Sequence, residues 1–214
     1  MVLTRMIHSM QSGKLLFYFN GFNAAIPEDY SGSQKICDVA GFAAIKGYRF
    51  IPVSTCYREA RAHCNSVLSD IGKDTREAVF CGSSMGGWFA RIMQLKLNQV
   101  RPDICTAAVA FNPAFDLGMN SYMLLGKQLN FVTGEAYEWT REHSAQLSQL
   151  EASVDYNLPI PFYVYIDKGD EVIDWELSAA RHAPISSLVT FEEGCHSFDH
   201  SREAMAHFET EFVK

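Results

Sequence analysis

Ser84, Asp170 and His196 are the residues of this 214-residue chain whose types could together activate an oxygen nucleophile. A serine hydroxyl is weak until a neutral imidazole accepts its proton, and the imidazole needs a carboxylate to fix its tautomer and stabilise the imidazolium that forms. Ser84 lies in Gly82-Ser83-Ser84-Met85-Gly86, a G-x-S-x-G turn, preceded by the apolar run A-V-F-C and followed by G-W-F-A-R-I-M with apolar residues at helical spacing. That context predicts a strand, a strained elbow presenting the serine, and a helix starting at Met85. Small residues two before and two after the serine let the backbones approach closely enough to hold the turn. The helix would aim its unpaired N–H groups and its dipole at the serine oxygen, where negative charge develops during acyl transfer.

The acid and the base are read from the residues just after two later apolar runs. F-Y-V-Y-I at 162–166 runs into D-K-G-D-E-V-I-D, where Asp170 is preferred because two β-branched residues come within three positions of it and can pack the loop back onto a sheet. Asp167 and Asp174 flank it as competitors. The run 187–191 ends in E-E-G-C-H, which places His196 directly after a strand, whereas His200 stands at the start of the last helix. His63, His143, His182 and His207 fall in helical stretches and read as surface or packing residues. The chain order Ser, Asp, His is that of α/β-hydrolases, and the 26 positions between Asp170 and His196 leave room for one helix and one strand.

These residues need a scaffold whose strands all end on one side, because in open α/β sheets ligands bind beyond the carboxyl ends of the strands. Apolar runs at 15–19, 48–53, 78–81, 106–111, 162–166 and 187–191 alternate with helical patterns at about 30–46, 57–71, 85 onward, 175–182 and 201–212. The alternation predicts a three-layer α/β fold, with a mostly parallel sheet of about six strands. Between Ala114 and Pro161 no strand-like run is read, only a helix over about 135–154; this insertion, about 114–160, is expected to act as a small cap, with a plain crossover helix after a long loop as the alternative. Its Tyr122, Leu124, Leu125, Leu129, Phe131, Tyr137 and Trp139 hint at an apolar acyl chain, against ordinary packing. Residues 1–13 read as a flexible tail, with Met6 or Met10 as alternative starts, and 14–214 as a single domain.

Composition narrows the partners. A net charge of −7 with no block of Lys or Arg argues against nucleic acid or an anionic membrane surface, and no run is long enough for a membrane span. A small molecule or an acyl thioester fits better. The six cysteines form no C-x-x-C pair and read as reduced thiols of a cytoplasmic protein. The stretch His196-Ser197-Phe198-Asp199-His200 has a superficial likeness to a zinc site, but such a pattern needs a glutamate on a helix. No Lys-Ser/Thr pair comes after the elbow as a phosphate loop requires. Neither a metal nor a cofactor is expected.

The elbow G-S-S-M-G-G-W-F-A-R, the G-F-N turn at 21–23, F-N-P-A at 111–114, K-G-D-E-V-I-D at 168–174 and E-G-C-H-S-F at 193–198 together resemble the small bacterial α/β-hydrolase esterases of the YqiA/YcfP type, over essentially residues 14–214. The resemblance implies a minimal core without the first two antiparallel strands of larger hydrolases, and esterase or thioesterase activity. It carries the triad onto Ser84, Asp170 and His196, and the oxyanion donors onto the backbone N–H groups of Phe22 and Met85. Asn20, Asn23, Asn112 and Trp88 are expected at the substrate-binding wall. One position departs from the pattern, with Asn20-Gly21 where relatives have His-Gly, so that the brace of the first turn differs. An acyltransferase using the same serine and a non-catalytic ligand-binding protein on the same fold remain alternative readings.

Overall fold

The computed structural model describes residues 13–27, 29–30, 32–130 and 133–213; the expected tail other than Gly13, and Phe131 of the expected cap, lie outside them. The main sheet has six strands, β1 (Lys14–Phe19), β2 (Arg49–Val53), β3 (Glu77–Ser83), β4 (Cys105–Phe111), β7 (Phe162–Asp167) and β8 (Ser187–Phe191). Their order is β2-β1-β3-β4-β7-β8 and every pairing is parallel. The central strands are apolar on both faces because helices cover both. Alternate residues divide the core: Phe17, Phe19, Phe80, Ala110 and Val164 face one layer, and Leu16, Tyr18, Val79, Val109 and Tyr165 the other. Pro52 is tolerated because β2 is an edge strand, where a missing donor breaks no ladder bond.

Helices α1 (Gln34–Ile45) and α7 (Ser201–Phe212) cover one face, packing Ile36, Val39, Phe42, Met205 and Phe208 together. On the other lie α2 (Ala60–Ser69), α3 (Met85–Val100), α5 (Arg141–Ala152) and, more peripherally, α6 (Trp175–His182). The first two helices are shorter than their apolar spacing predicts. Ser33 caps α1 by accepting from the Ile36 N–H, and a single 3₁₀ turn, Tyr57–Glu59, precedes α2. Helix α3 is buried almost throughout, including Arg91 and Gln94. The Arg91 guanidinium donates to the carbonyls of Tyr156 (3.1 Å) and Leu158 (2.6 Å), and Gln94 to that of Pro161 (2.6 Å), so this helix sets where the chain enters β7.

The region between β4 and β7 departs from the sequence reading. It holds a short helix, α4 (Leu117–Asn120), and then an antiparallel hairpin of β5 (Gly126–Leu129) and β6 (Ala136–Trp139), where a helix starting near 135 is expected. The helix starts only at Arg141, because Thr140 and His143 form a capping box there; the Thr140 N–H donates to His143 Nδ1 at 3.0 Å. Four-residue strands, the first opening on Gly126 (φ +109°) and the connection between them passing through Gly134 (φ +70°), carry too little periodicity to be read from sequence. The insertion is fastened to the core. Glu151 of α5 accepts from Trp88 Nε1 (2.9 Å) and the Gly118 N–H (2.8 Å), and Trp139 packs edge-on against Phe22. Trp139 is therefore core, while Met119, Met123 and Leu129 stay exposed.

His182 at the end of α6 is fully buried, with Nδ1 on the Ser178 carbonyl at 2.8 Å, and burial pulls its pKa from 6.5 down to about 4. The unfolded chain therefore binds the proton more readily, so stability is lost as pH falls from about 6.5 towards 4. His182→Gln, which keeps a donor but has no titrating ring, is expected to flatten the fall of Tm across that window. Parallel Tm curves for the two proteins would rule this out.

Candidate active site

At the end of β3 the chain turns into α3 through Ser84, whose φ of 57° and ψ of −126° are strained for a residue with a Cβ. The strain is held by close packing. A methyl group on Gly82 would overlap the Gly86 carbonyl, and one on Gly86 would overlap the Phe19 carbonyl of β1. The Ser84 N–H donates to Phe111 O (3.0 Å), and Ser84 O accepts from Gly87 (3.0 Å) and Ala114 (3.1 Å), which ties the elbow to the end of β4. Gly21 comes so near that a Cβ there would lie 3.3 Å from the Ser84 Cβ, and this brings the first turn beside the hydroxyl. Among the described residues the N–H groups of Phe22 and Met85 donate to no acceptor.

Ser84 and His196 line one cavity of about 220 Å³, together with Asn20, Gly21, Phe22 and Lys35. His196 comes after β8, and its Nδ1 lies 2.9 Å from both carboxylate oxygens of Asp170, which comes after β7. The Asp170 side chain is almost wholly buried. Burial alone would raise its pKa, but the His196 ring and the N–H groups of Ile173 (2.9 Å) and Val172 (2.8 Å) outweigh that and hold it below the usual 3.8. With Nδ1 engaged, Nε2 is the ring nitrogen left to exchange a proton. No hydrogen bond joins it to the Ser84 hydroxyl among the described residues, a contact that such sites often tighten only around a substrate.

The competing acids have other partners. Asp167 is completely buried, accepts from His200 Nδ1 (2.7 Å) and the Asp199 N–H (2.7 Å), and lies against Gly194 where any side chain would collide. Asp174 caps α6 through the Leu177 N–H. The two histidines of the zinc-like stretch are thus held by different carboxylates, and among the described residues no group of three or more His, Cys, Asp or Glu side chains is placed to hold a metal ion.

Two expected wall residues lie away from this cavity. Trp88 is buried with its indole on Glu151, and Asn112 is buried at φ 41°, its amide donating to Cys195 O (2.9 Å) and accepting from the Asp167 N–H (2.8 Å). Neither lines the cavity; Asn112 clips the histidine loop to β7 instead. Asn23 borders a second cavity, of about 300 Å³, under the hairpin, where it accepts from the Tyr137 hydroxyl at 2.6 Å. Asn20 does line the first cavity, but its side chain is spent on backbone, donating to Gly21 O (2.9 Å) and Ala24 O (2.7 Å) and accepting from the Thr55 N–H (2.7 Å). Asn20→Ala is therefore expected to lower Tm and to reduce kcat far less than the roughly 10²–10³-fold that removal of an oxyanion donor costs. A folded Asn20→Ala protein slowed by three orders of magnitude would mean that the amide itself touches the reacting oxygen.

Lys35 escaped the sequence reading. It stands in the first turn of α1, where the helix dipole disfavours a cation, and that misfit is the signal that could have found it. Its ammonium donates to Ser83 Oγ (2.6 Å) and Ser197 O (2.8 Å), and burial draws its pKa down to about 8.

Solved structures with the same fold are numerous. Est1E from Butyrivibrio proteoclasticus superposes with a TM-score of 0.69 at 18% identity, over 92% of this chain and 87% of its own. The esterase domain of a Rhodothermus marinus protein gives 0.61 at 15%, over 95% and 86%, and the mouse alpha/beta hydrolase domain-containing protein 10 gives 0.62 at 16%, over 91% and 88%. At these identities the likeness establishes the α/β-hydrolase fold. No curated protein matches the chain. Residues 15–210 match the uncharacterised protein family UPF0227, and the chain belongs to that family, of the YcfP/YqiA type.

Proposed function

We propose that this protein is a serine hydrolase that cleaves a carboxylic ester or thioester of a small or acyl-chain substrate through an acyl-enzyme on Ser84. The observation that carries the reading is His196, held by Asp170, lining the same cavity as a serine in strained elbow geometry. In this reading His196, oriented by Asp170, takes the Ser84 proton as the hydroxyl oxygen attacks the substrate carbonyl. The oxyanion is received by the N–H groups of Phe22 and Met85. Collapse expels the alcohol or thiol, which leaves with the proton from His196, and water then repeats the cycle on the acyl-enzyme. The structural neighbours agree in kind: one is an esterase domain, and Est1E has been solved with ferulic acid, a carboxylic acid. No helix is long and apolar enough to cross a membrane among the described residues, and a small-molecule substrate suits a cavity of this size.

A fluorophosphonate probe tests the proposal. One adduct is expected, on the peptide bearing Ser84, lost in Ser84→Ala with the melting temperature preserved. Labelling that persists in the variant overturns the assignment, and a wild type that neither labels nor hydrolyses esters favours the ligand-binding alternative. Product analysis with added alcohol or amine separates hydrolysis from acyl transfer.

A further inference from the structure

The segments that carry Ser84 and His196 come from opposite halves of the sequence, and nothing bonds the two side chains directly among the described residues. Lys35 lies between them. One of its hydrogen bonds goes to Ser83, the residue before Ser84, and the other to Ser197, the residue after His196, so a single ammonium spans both segments. Both acceptors are neutral oxygens, and a charged donor bonds them about twice as strongly as a neutral one would. Asn112 ties the same loop to β7 through Cys195 O, and the His196 N–H donates to Glu171 Oε2 at 2.9 Å, so Lys35 adds to these a side-chain tie between loop and elbow.

A partly buried lysine at a helix N-terminus is costly for folding, because both burial and the helix dipole disfavour its charge. The nearby carboxylates Asp167 and Asp170 favour its charge but are each bonded to their own histidine. We infer that Lys35 is a positioning residue that holds the His196 loop at working distance from the Ser84 elbow. The inference rests on the serine-hydrolase reading above. Lys35 takes no proton and touches no reacting atom; it acts through the geometry of two residues that do.

The test compares wild type, Lys35→Met and Lys35→Arg on a neutral short p-nitrophenyl ester and on one with a terminal carboxylate, together with the rate of fluorophosphonate labelling at Ser84 and Tm. Misplacement by about an ångström costs on the order of 10²-fold, so Lys35→Met is expected to lose about 10–100-fold in kcat on both esters, with labelling slowed alike and KM within about twofold. Lys35→Arg, which keeps a charged double donor, should recover most of the loss. Unchanged kcat in Lys35→Met overturns the inference. So does an effect confined to KM of the carboxylate ester, which would make the lysine a substrate anchor, or an arginine variant no better than methionine at equal Tm. If Lys35→Met does not fold, Ser83→Ala removes one of the two bonds and should lower kcat with KM unchanged; no fall overturns the bridge. A wild type that is neither labelled nor active fails the serine reading and this inference with it, whereas an active, labelled wild type with an indifferent Lys35→Met fails the inference alone.

Discussion

Ser84→Ala is expected to reduce kcat on an activated ester by about 10⁵–10⁶-fold, the loss typical when the nucleophile of a triad is removed, while Tm stays within about a degree or two of wild type. Stability should hold because alanine keeps the Cβ, and with it the same strained φ and the same contact with Gly21, and because the hydroxyl makes no hydrogen bond among the described residues. A residual rate above that in water should survive, since the N–H groups of Phe22 and Met85 do not depend on the hydroxyl. The measurement is steady-state kcat with variant purity checked by mass. A variant retaining more than about a hundredth of the wild-type rate would point to another nucleophile, because the triad logic leaves no room for so small a loss. Ser83 would then be the first to test, as it lines the same cavity and is bonded to Lys35.

The parts of this molecule that sequence reveals are those where one physical constraint acts alone. The four inner strands β1, β3, β4 and β7 carry continuous apolar runs because both their faces are covered, and the limits of α6, β8 and α7 coincide with the predicted ones. The elbow is legible because the overlap of Gly82 with Gly86 and of Gly86 with Phe19 permits no other residue, so a steric requirement is written directly as glycine. The β5–β6 hairpin is not legible, since four-residue strands with one buried residue between them, Trp139, leave no alternation to count. Asn112 and Trp88 are expected at a substrate wall by the resemblance to the family. Sequence position says nothing of which way a side chain is spent, and both are spent inward. Lys35 shows the same limit from the other side: its partners are 48 and 162 residues away.

Asp170→Asn is expected to cost about 10⁴-fold in kcat with the fold intact, and Asp167→Asn to do the reverse, weakening the fold while sparing much more of the turnover. The two aspartates stand three residues apart, each bonded to a histidine, and only the surroundings separate them. Asparagine at 170 can still accept from the Val172 and Ile173 N–H groups, which preserves the loop, but it offers the His196 ring an amide in place of a carboxylate and leaves the imidazolium without its counter-charge. Asparagine at 167 must place an NH₂ group in a site that accepts from the Asp199 N–H and from His200, hard against Gly194, with no solvent to relieve the mismatch. Acid melts supply a second readout. The native pKa of Asp170 is depressed, so its contribution to stability is complete above the unfolded value of 3.8 and is lost as pH falls through the lower native one. Asp170→Asn should remove that part of the acid destabilisation. Were Asp167→Asn to abolish turnover while Asp170→Asn kept it, the working pair would be Asp167 with His200, and the proton path from Ser84 would have to be redrawn through the last helix.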